Sequence, residues 1–137
     1  MNPTNLTDSA AGTTVLVVEN NEEVRNLVRN VVATLGWRPI VAKSVEEALA
    51  ALASESIDGI IADWELDDGN GEAILRKASE GRFRPIPSVV ISSYASMALR
   101  EQAKAAGALD LLEKPFRMEQ LTSLLSRELP VAVAARG

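Results

Sequence analysis

The chain has 137 residues, enough for one domain whose core buries about two thirds of the surface exposed by the unfolded chain. With 14 Lys and Arg against 19 Asp and Glu, the net charge of −5 argues against nucleic acid or an anionic membrane as the main partner. It contains no Cys and no His, which excludes disulfides, thiol nucleophiles, zinc clusters, Ser-His-Asp triads and histidine phosphocarriers within these residues.

Residues 1–12 are small and polar, without Lys, Arg or an apolar stretch, and read as a flexible N-terminal tail, neither signal peptide nor anchor. The β-branched run Thr14-Val15-Leu16-Val17-Val18 is too short for a buried helix and predicts a strand covered on both faces, ending in the polar Glu19-Asn20-Asn21-Glu22-Glu23. Val24, Leu27, Val28, Val31 and Leu35 then recur at helical spacing as far as Gly36. Arg38 to Ala42 gives a second strand, and Ser44 with Glu47 forms a capping box before Val45, Ala48, Leu49 and Leu52. A third strand climbs from Asp58 to Asp63, followed by the loop Asp67-Asp68-Gly69-Asn70-Gly71 and a helix carrying Ala73, Ile74 and Ala78.

Pro85 and Pro87 bracket a turn before the strand Ser88-Val89-Val90-Ile91, which ends in Ser92-Ser93, and a fourth helix runs from about Met97 to Ala105. Ala108 to Leu112 predicts the fifth strand, ending in Glu113-Lys114-Pro115. Leu121, Leu124, Leu125 and Leu129 define a last helix that stops before Pro130. The domain is thus expected over 13–129, with 130–137 a C-terminal tail or truncated linker. Apolar strands alternating with helices indicate an α/β fold with a parallel sheet covered on both faces. No apolar run approaches the roughly 20 residues that span a bilayer, and with Cys absent the expected setting is reducing and cytoplasmic.

In such a sheet, ligands bind beyond the carboxyl ends of the strands. The residues there are Glu19-Asn20, Asp63, Ser92 and Lys114, so two acids, a hydroxyl and a cation converge on one rim. An Asp carboxylate can accept a phosphoryl group as a mixed anhydride if the charge on the phosphoryl oxygens is neutralised. Glu19 and Asp63 are candidate ligands of a hard divalent ion such as Mg²⁺, Lys114 is a counter-charge, and Ser92 is a donor to a phosphoryl oxygen. No base is needed, because a carboxylate is already ionised near neutral pH.

Read together, Val-Leu-Val-Val-Glu19-Asn20-Asn21-Glu22, Asp63-Trp-Glu-Leu-Asp-Asp-Gly-Asn-Gly71, Pro87 leading to Ser92-Ser93, and Lys114-Pro115-Phe116 resemble the receiver domain of two-component response regulators, from Thr14 to Leu129. The resemblance implies a doubly wound, flavodoxin-like sheet of five parallel strands in the order 2-1-3-4-5, with five helices. It implies Asp63 as phosphoacceptor, Ser92 as switch hydroxyl, Lys114 as the phosphoryl-contacting Lys, and a cis bond between Lys114 and Pro115. It further implies Mg²⁺ held by Glu19, Asn20, Asp63 and the backbone carbonyl of Glu65. The implied partners are a His kinase or His phosphotransfer protein and a downstream protein target, with neither direct nucleic-acid nor membrane contact. Signalling, and pairing into a homodimer, would use the face formed by the fourth helix, fifth strand and fifth helix. Such a domain is no enzyme beyond phosphorylation and dephosphorylation of its own Asp63.

Three positions depart from the pattern. Asn20 offers a neutral amide where the family has a carboxylate, which is expected to weaken Mg²⁺ binding by roughly one to two orders of magnitude. Leu111 stands where the family has its aromatic switch, leaving Tyr94 as the nearby aromatic. Glu65 is expected to carry its charge beside the phosphoryl group. An alternative is therefore a degenerate receiver that binds partners without phosphorylation. A haloacid-dehalogenase-like phosphatase is disfavoured, since Glu65 replaces the second Asp and no substrate-capping insertion is present. Ile74 breaks the G-x-G-x-x-G pattern begun by Gly69, and Asp68 and Ile74 break a calcium loop begun by Asp63. Trp64 is expected to be partly exposed and Trp37 to pack at a helix end.

Overall fold

The computed structural model describes residues 12–80 and 85–136, the last six by backbone alone. The tail expected over residues 1–12 lies, apart from Gly12, outside the described residues. In chain order the elements are β1 (Thr14–Val18), α1 (Glu22–Thr34), β2 (Arg38–Ala42), α2 (Val45–Ser54), β3 (Gly59–Asp63), α3 (Gly71–Ser79), β4 (Ser88–Ser92), α4 (Met97–Ala105), β5 (Ala108–Glu113) and α5 (Met118–Arg136). The strands form one parallel sheet in the order β2-β1-β3-β4-β5, as the resemblance implied.

The apolar strands show why both faces must be covered. Alternate side chains of a strand point to opposite faces, and in β1 Leu16 and Val18 enter one core while Val15 and Val17 enter the other. The same division separates Ile60 and Ala62 from Ile61 in β3, and Val90 from Val89 and Ile91 in β4. Ala48 of α2, Ile74, Leu75 and Ala78 of α3 and Ala103 of α4 close the first core. Val28, Val31 and Val32 of α1 and Leu121, Leu124, Leu125 and Leu129 of α5 close the second.

Local chemistry fixes the helix starts. Asn21 caps α1, its side-chain oxygen accepting the Val24 amide at 2.9 Å, and Gly36 ends the unit at φ 89°, a left-handed conformation suited to glycine. The predicted box at α2 forms with a displacement. Ser44 Oγ accepts the Glu47 amide at 3.1 Å, while the Glu47 carboxylate returns to the amide of Lys43 rather than of Ser44, at 2.8 Å. Asp68 adds a second cap from a distant loop, its carboxylate accepting the Val45 and Glu46 amides at 2.8 and 3.0 Å.

Three expectations are corrected. The acidic loop after β3 contains a two-residue antiparallel ribbon, Glu65–Leu66 with Gly69–Asn70. Trp64 is buried, at 6% exposure, because Gly71 lets the chain fold back against it: a Cβ at Gly71 would stand 3.4 Å from Trp64 Cε3 and 3.0 Å from the Asp63 carbonyl oxygen. The last helix does not stop before Pro130 but continues to Arg136. Proline removes the hydrogen bond to the carbonyl four residues back, and here Pro130 and Ser126 are both exposed, so water can satisfy the freed carbonyl while buried Leu129 keeps the helix docked.

Leu125, fully buried, belongs to the second core with which α5 covers that face of the sheet. Leu125→Ala is expected to reduce the unfolding free energy by about 3 kcal/mol, read as a lower urea midpoint with an unchanged slope.

Candidate functional site

The ends of β1, β3, β4 and β5 are brought together by main-chain hydrogen bonds that continue the sheet one residue past its strands. The Glu19 amide donates to the Ala42 carbonyl at 3.0 Å, Trp64 to Ile91 at 2.7 Å, and Lys114 to Ser92 at 2.8 Å. Together with the parallel β1–β3 pairing, these bonds set Glu19, Asp63, Ser92 and Lys114 on one rim, as their positions in the sequence predicted. The Lys114–Pro115 bond is cis.

Glu19 and Asp63 are 1% and 2% exposed, and Lys114 Nζ lies 2.8 Å from Glu19 Oε1 and 2.8 Å from Asp63 Oδ2. Burying a carboxylate is costly unless it is paired and hydrogen-bonded. Asp63 Oδ1 accepts the Glu65 amide at 3.0 Å, and Glu19 Oε2 accepts the Asn21 amide at 3.0 Å. Even so, burial, reinforced by the negative charge of Glu19, pushes the Asp63 carboxyl up to about 6 against the partial relief from Lys114. Burial works against the Lys114 charge too, but the hydrogen bonds to Asp63 and Glu19 outweigh it and the ammonium is held above its ordinary pKa.

Glu19 Oε1 meets the ammonium and accepts no other donor. That leaves a buried carboxylate oxygen with spare capacity beside Asp63, a donor pair suited to Mg²⁺, which takes one or two carboxylates and keeps several waters. Among the described residues no group of three or more His, Cys, Asp or Glu converges as a complete cage. Asn20 is exposed and its amide donates to Asp67 Oδ1 at 3.2 Å, so its side chain is engaged away from the Glu19–Asp63 pair.

The Glu65 side chain is where the sequence reading fell short. Ser92 Oγ donates a short hydrogen bond to Glu65 Oε2, and the Ser93 amide donates to Glu65 Oε1 at 3.0 Å. The Tyr94 amide donates in turn to Ser92 Oγ at 3.0 Å. The signal available was the spacing: Glu65 stands two residues after Asp63 in extended chain, which places both side chains toward the same rim. Leu111 is buried, whereas the Tyr94 ring is 72% exposed and does not take up the aromatic position that Leu111 leaves vacant.

This architecture, a doubly wound sheet with an Asp–Lys pair at the switch point, defines a class of phosphoryl-accepting signalling domains. The sequence profile of the response regulator receiver domain matches residues 15–126, and the chain belongs to that family. It is 28% identical over 123 residues to an NtrX-like response regulator of Rickettsia bellii, across 89% of this chain and 26% of that protein. It is 31% identical over 113 residues to the KDP operon transcriptional regulatory protein KdpE of Escherichia coli, across 82% of this chain and 49% of that one. Among solved structures, NtrX of Brucella abortus matches with a TM-score of 0.79 at 27% identity, over 90% of this chain and 28% of that one. The chemotaxis response regulator CheY4 of Vibrio cholerae matches at 0.77 and 26%, over 84% of this chain and 97% of that one. The chain therefore spans about a quarter to a half of the curated relatives it matches. As a receiver domain it accepts a phosphoryl group on an aspartate in a His-kinase relay, and itself undergoes phosphorylation and dephosphorylation. Among the described residues no helix is long and apolar enough to cross a membrane.

Because the folded state raises the Asp63 pKa from 3.8 to about 6, it holds that proton more tightly than the unfolded chain does. The stability contribution of Asp63 is therefore full below about pH 4 and lost as pH rises through about 6. Asp63→Asn is expected to raise the unfolding free energy at pH 7.5 by about 2 kcal/mol, a gain that vanishes toward pH 4, measured by urea denaturation across that range.

Proposed function

We propose that Asp63 is the phosphoacceptor, Lys114 the cation that receives the phosphoryl charge, and Ser92 the hydroxyl that reports its arrival. The supporting observation is the single ammonium 2.8 Å from each of two buried carboxylates, a charge able to turn from the resting pair to an incoming anion. At pH 7 an acid with pKa about 6 is mostly ionised, so Asp63 attacks without a base. The N–P bond of a phosphohistidine breaks as the Asp63 O–P bond forms, and the imidazole leaves with the bonding pair and takes up a proton. The chain has no His, so the donor imidazole belongs to a His kinase or His phosphotransfer protein outside these residues.

Glu19 and Asp63 would hold Mg²⁺, with the Glu65 backbone carbonyl as a third donor and waters completing the shell. When bound, the ion neutralises charge on the phosphoryl oxygens. Signalling would pass to the α4-β5-α5 face, where Met97 and Leu109 are 77% and 39% exposed, offering apolar contact to a downstream protein or a second copy of the chain. A second reading, binding of partners without phosphorylation, is favoured by the engagement of Asn20 with Asp67. Equal partner affinity for wild type and Asp63→Ala under phosphorylating conditions would select it.

Incubation with phosphoramidate and Mg²⁺ is expected to add one phosphoryl group to the wild type by intact mass, none to Asp63→Asn, and to proceed at least tenfold more slowly in Lys114→Ala. Asn20→Asp is expected to tighten Mg²⁺ binding by roughly tenfold to a hundredfold, followed by fluorescence of Trp64 beside the acceptor. An unchanged midpoint would remove Asn20 from the metal's surroundings.

A further inference from the structure

We infer that Glu65 is a latch on the switch hydroxyl, a positioning residue that holds Ser92 away from Asp63 until a phosphoryl group displaces it; this rests on Asp63 being the phosphoacceptor. A serine hydroxyl has one proton to donate. In this structure the Ser92 proton is committed to Glu65 Oε2, and Ser92 is fully buried, so no water competes for it. The second carboxylate oxygen takes the Ser93 amide at 3.0 Å, so one side chain fastens both residues at the end of β4. The Tyr94 amide occupies the hydroxyl as an acceptor at 3.0 Å, which fixes the direction in which its proton points.

The latch is anchored to the acceptor itself. Glu65 donates its own amide to Asp63 Oδ1 at 3.0 Å, so the carboxylate that holds Ser92 is carried on the chain segment that phosphorylation must reorganise. A phosphoryl group on Asp63 brings about two negative charges beside Glu65 and offers oxygens for the Ser92 proton. The same event therefore repels the latch and supplies its replacement. Ser92 cannot serve both acceptors at once, and the resting state is favoured by whatever Glu65 contributes.

The test is a cycle of Glu65→Ala and Ser92→Ala in the full chain, with beryllofluoride and Mg²⁺ as the phosphoryl mimic and amide shifts as the readout. Glu65→Ala is expected to lower the half-saturating beryllofluoride concentration by about tenfold, and by about threefold or less when Ser92 is already Ala, where only the repulsion between Glu65 and the phosphoryl group is left to relieve. An equal gain in both backgrounds overturns the latch, since Glu65 would then act through its charge on the phosphoryl group alone. Glu65→Gln, which loses the charge but keeps an acceptor for Ser92, is expected to gain less than Glu65→Ala; an equal gain overturns the proposal as well. Failure of every form to take up beryllofluoride defeats the phosphoacceptor reading instead. The resting contact is checked independently in the metal-free protein, where Glu65→Ala should speed hydrogen exchange of the Ser93 amide by about tenfold, and an unchanged rate overturns the latch whatever the beryllofluoride result.

Discussion

Two carboxylates at adjacent strand ends, each almost wholly withdrawn from water, share one ammonium. An arrangement of this kind is stable only while the cation stays: losing the positive member of a buried ion pair typically costs 3–5 kcal/mol, because here two carboxylates would be left charged and unsolvated, whereas losing the Asp63 charge still leaves Lys114 paired with Glu19. Lys114 sits at the end of β5, the edge strand, so the far side of the sheet must reach over β4 to neutralise β1 and β3. The main-chain bond from Lys114 to the Ser92 carbonyl provides that reach. The placement of α4, β5 and α5 thus answers to an electrostatic requirement on the other side of β4.

The sheet supports this through its division of side chains. Because β1, β3 and β4 each send alternate residues into two separate cores, a shift of one residue in any of them would exchange the contents of both. Register is consequently well determined, and the polar residues that follow the strands inherit that determination. Glu19 is the next residue after β1, and Asp63 and Ser92 are the last residues of β3 and β4, so none of them needs a loop to aim it. A functional constellation set directly on strand ends in this way tolerates little play.

The same reasoning explains what could be read without coordinates. The apolar runs at Val15–Val18, Ile60–Ala62 and Val89–Ile91 are short, β-branched and bounded by polar residues, so the five-strand alternation and the convergence of Glu19, Asp63, Ser92 and Lys114 were legible. Trp64 was misjudged because its burial depends on Gly71 folding back over it, a contact made through the ribbon rather than through periodicity. The continuation of α5 past Pro130 rests on the solvent exposure of Ser126 and Pro130, which is a tertiary property. Glu65 was seen as a charge near the acceptor, but its engagement with Ser92 and Ser93 needs the ribbon to lie against the end of β4. Local pattern reports the faces of strands and helices; it says little about which polar groups on neighbouring loops find each other.

Asp68 carries a mechanical consequence. The segment that leaves Asp63 is fastened at its outer end to the first turn of α2, through two amides accepted by the Asp68 carboxylate. Toward β4 the same segment is held by side-chain contacts to Ser92 and Ser93 that an anion can replace. The ribbon that leaves Asp63 therefore ties the acceptor to two neighbours at once, to the first turn of α2 through Asp68 and to the end of β4 through Glu65.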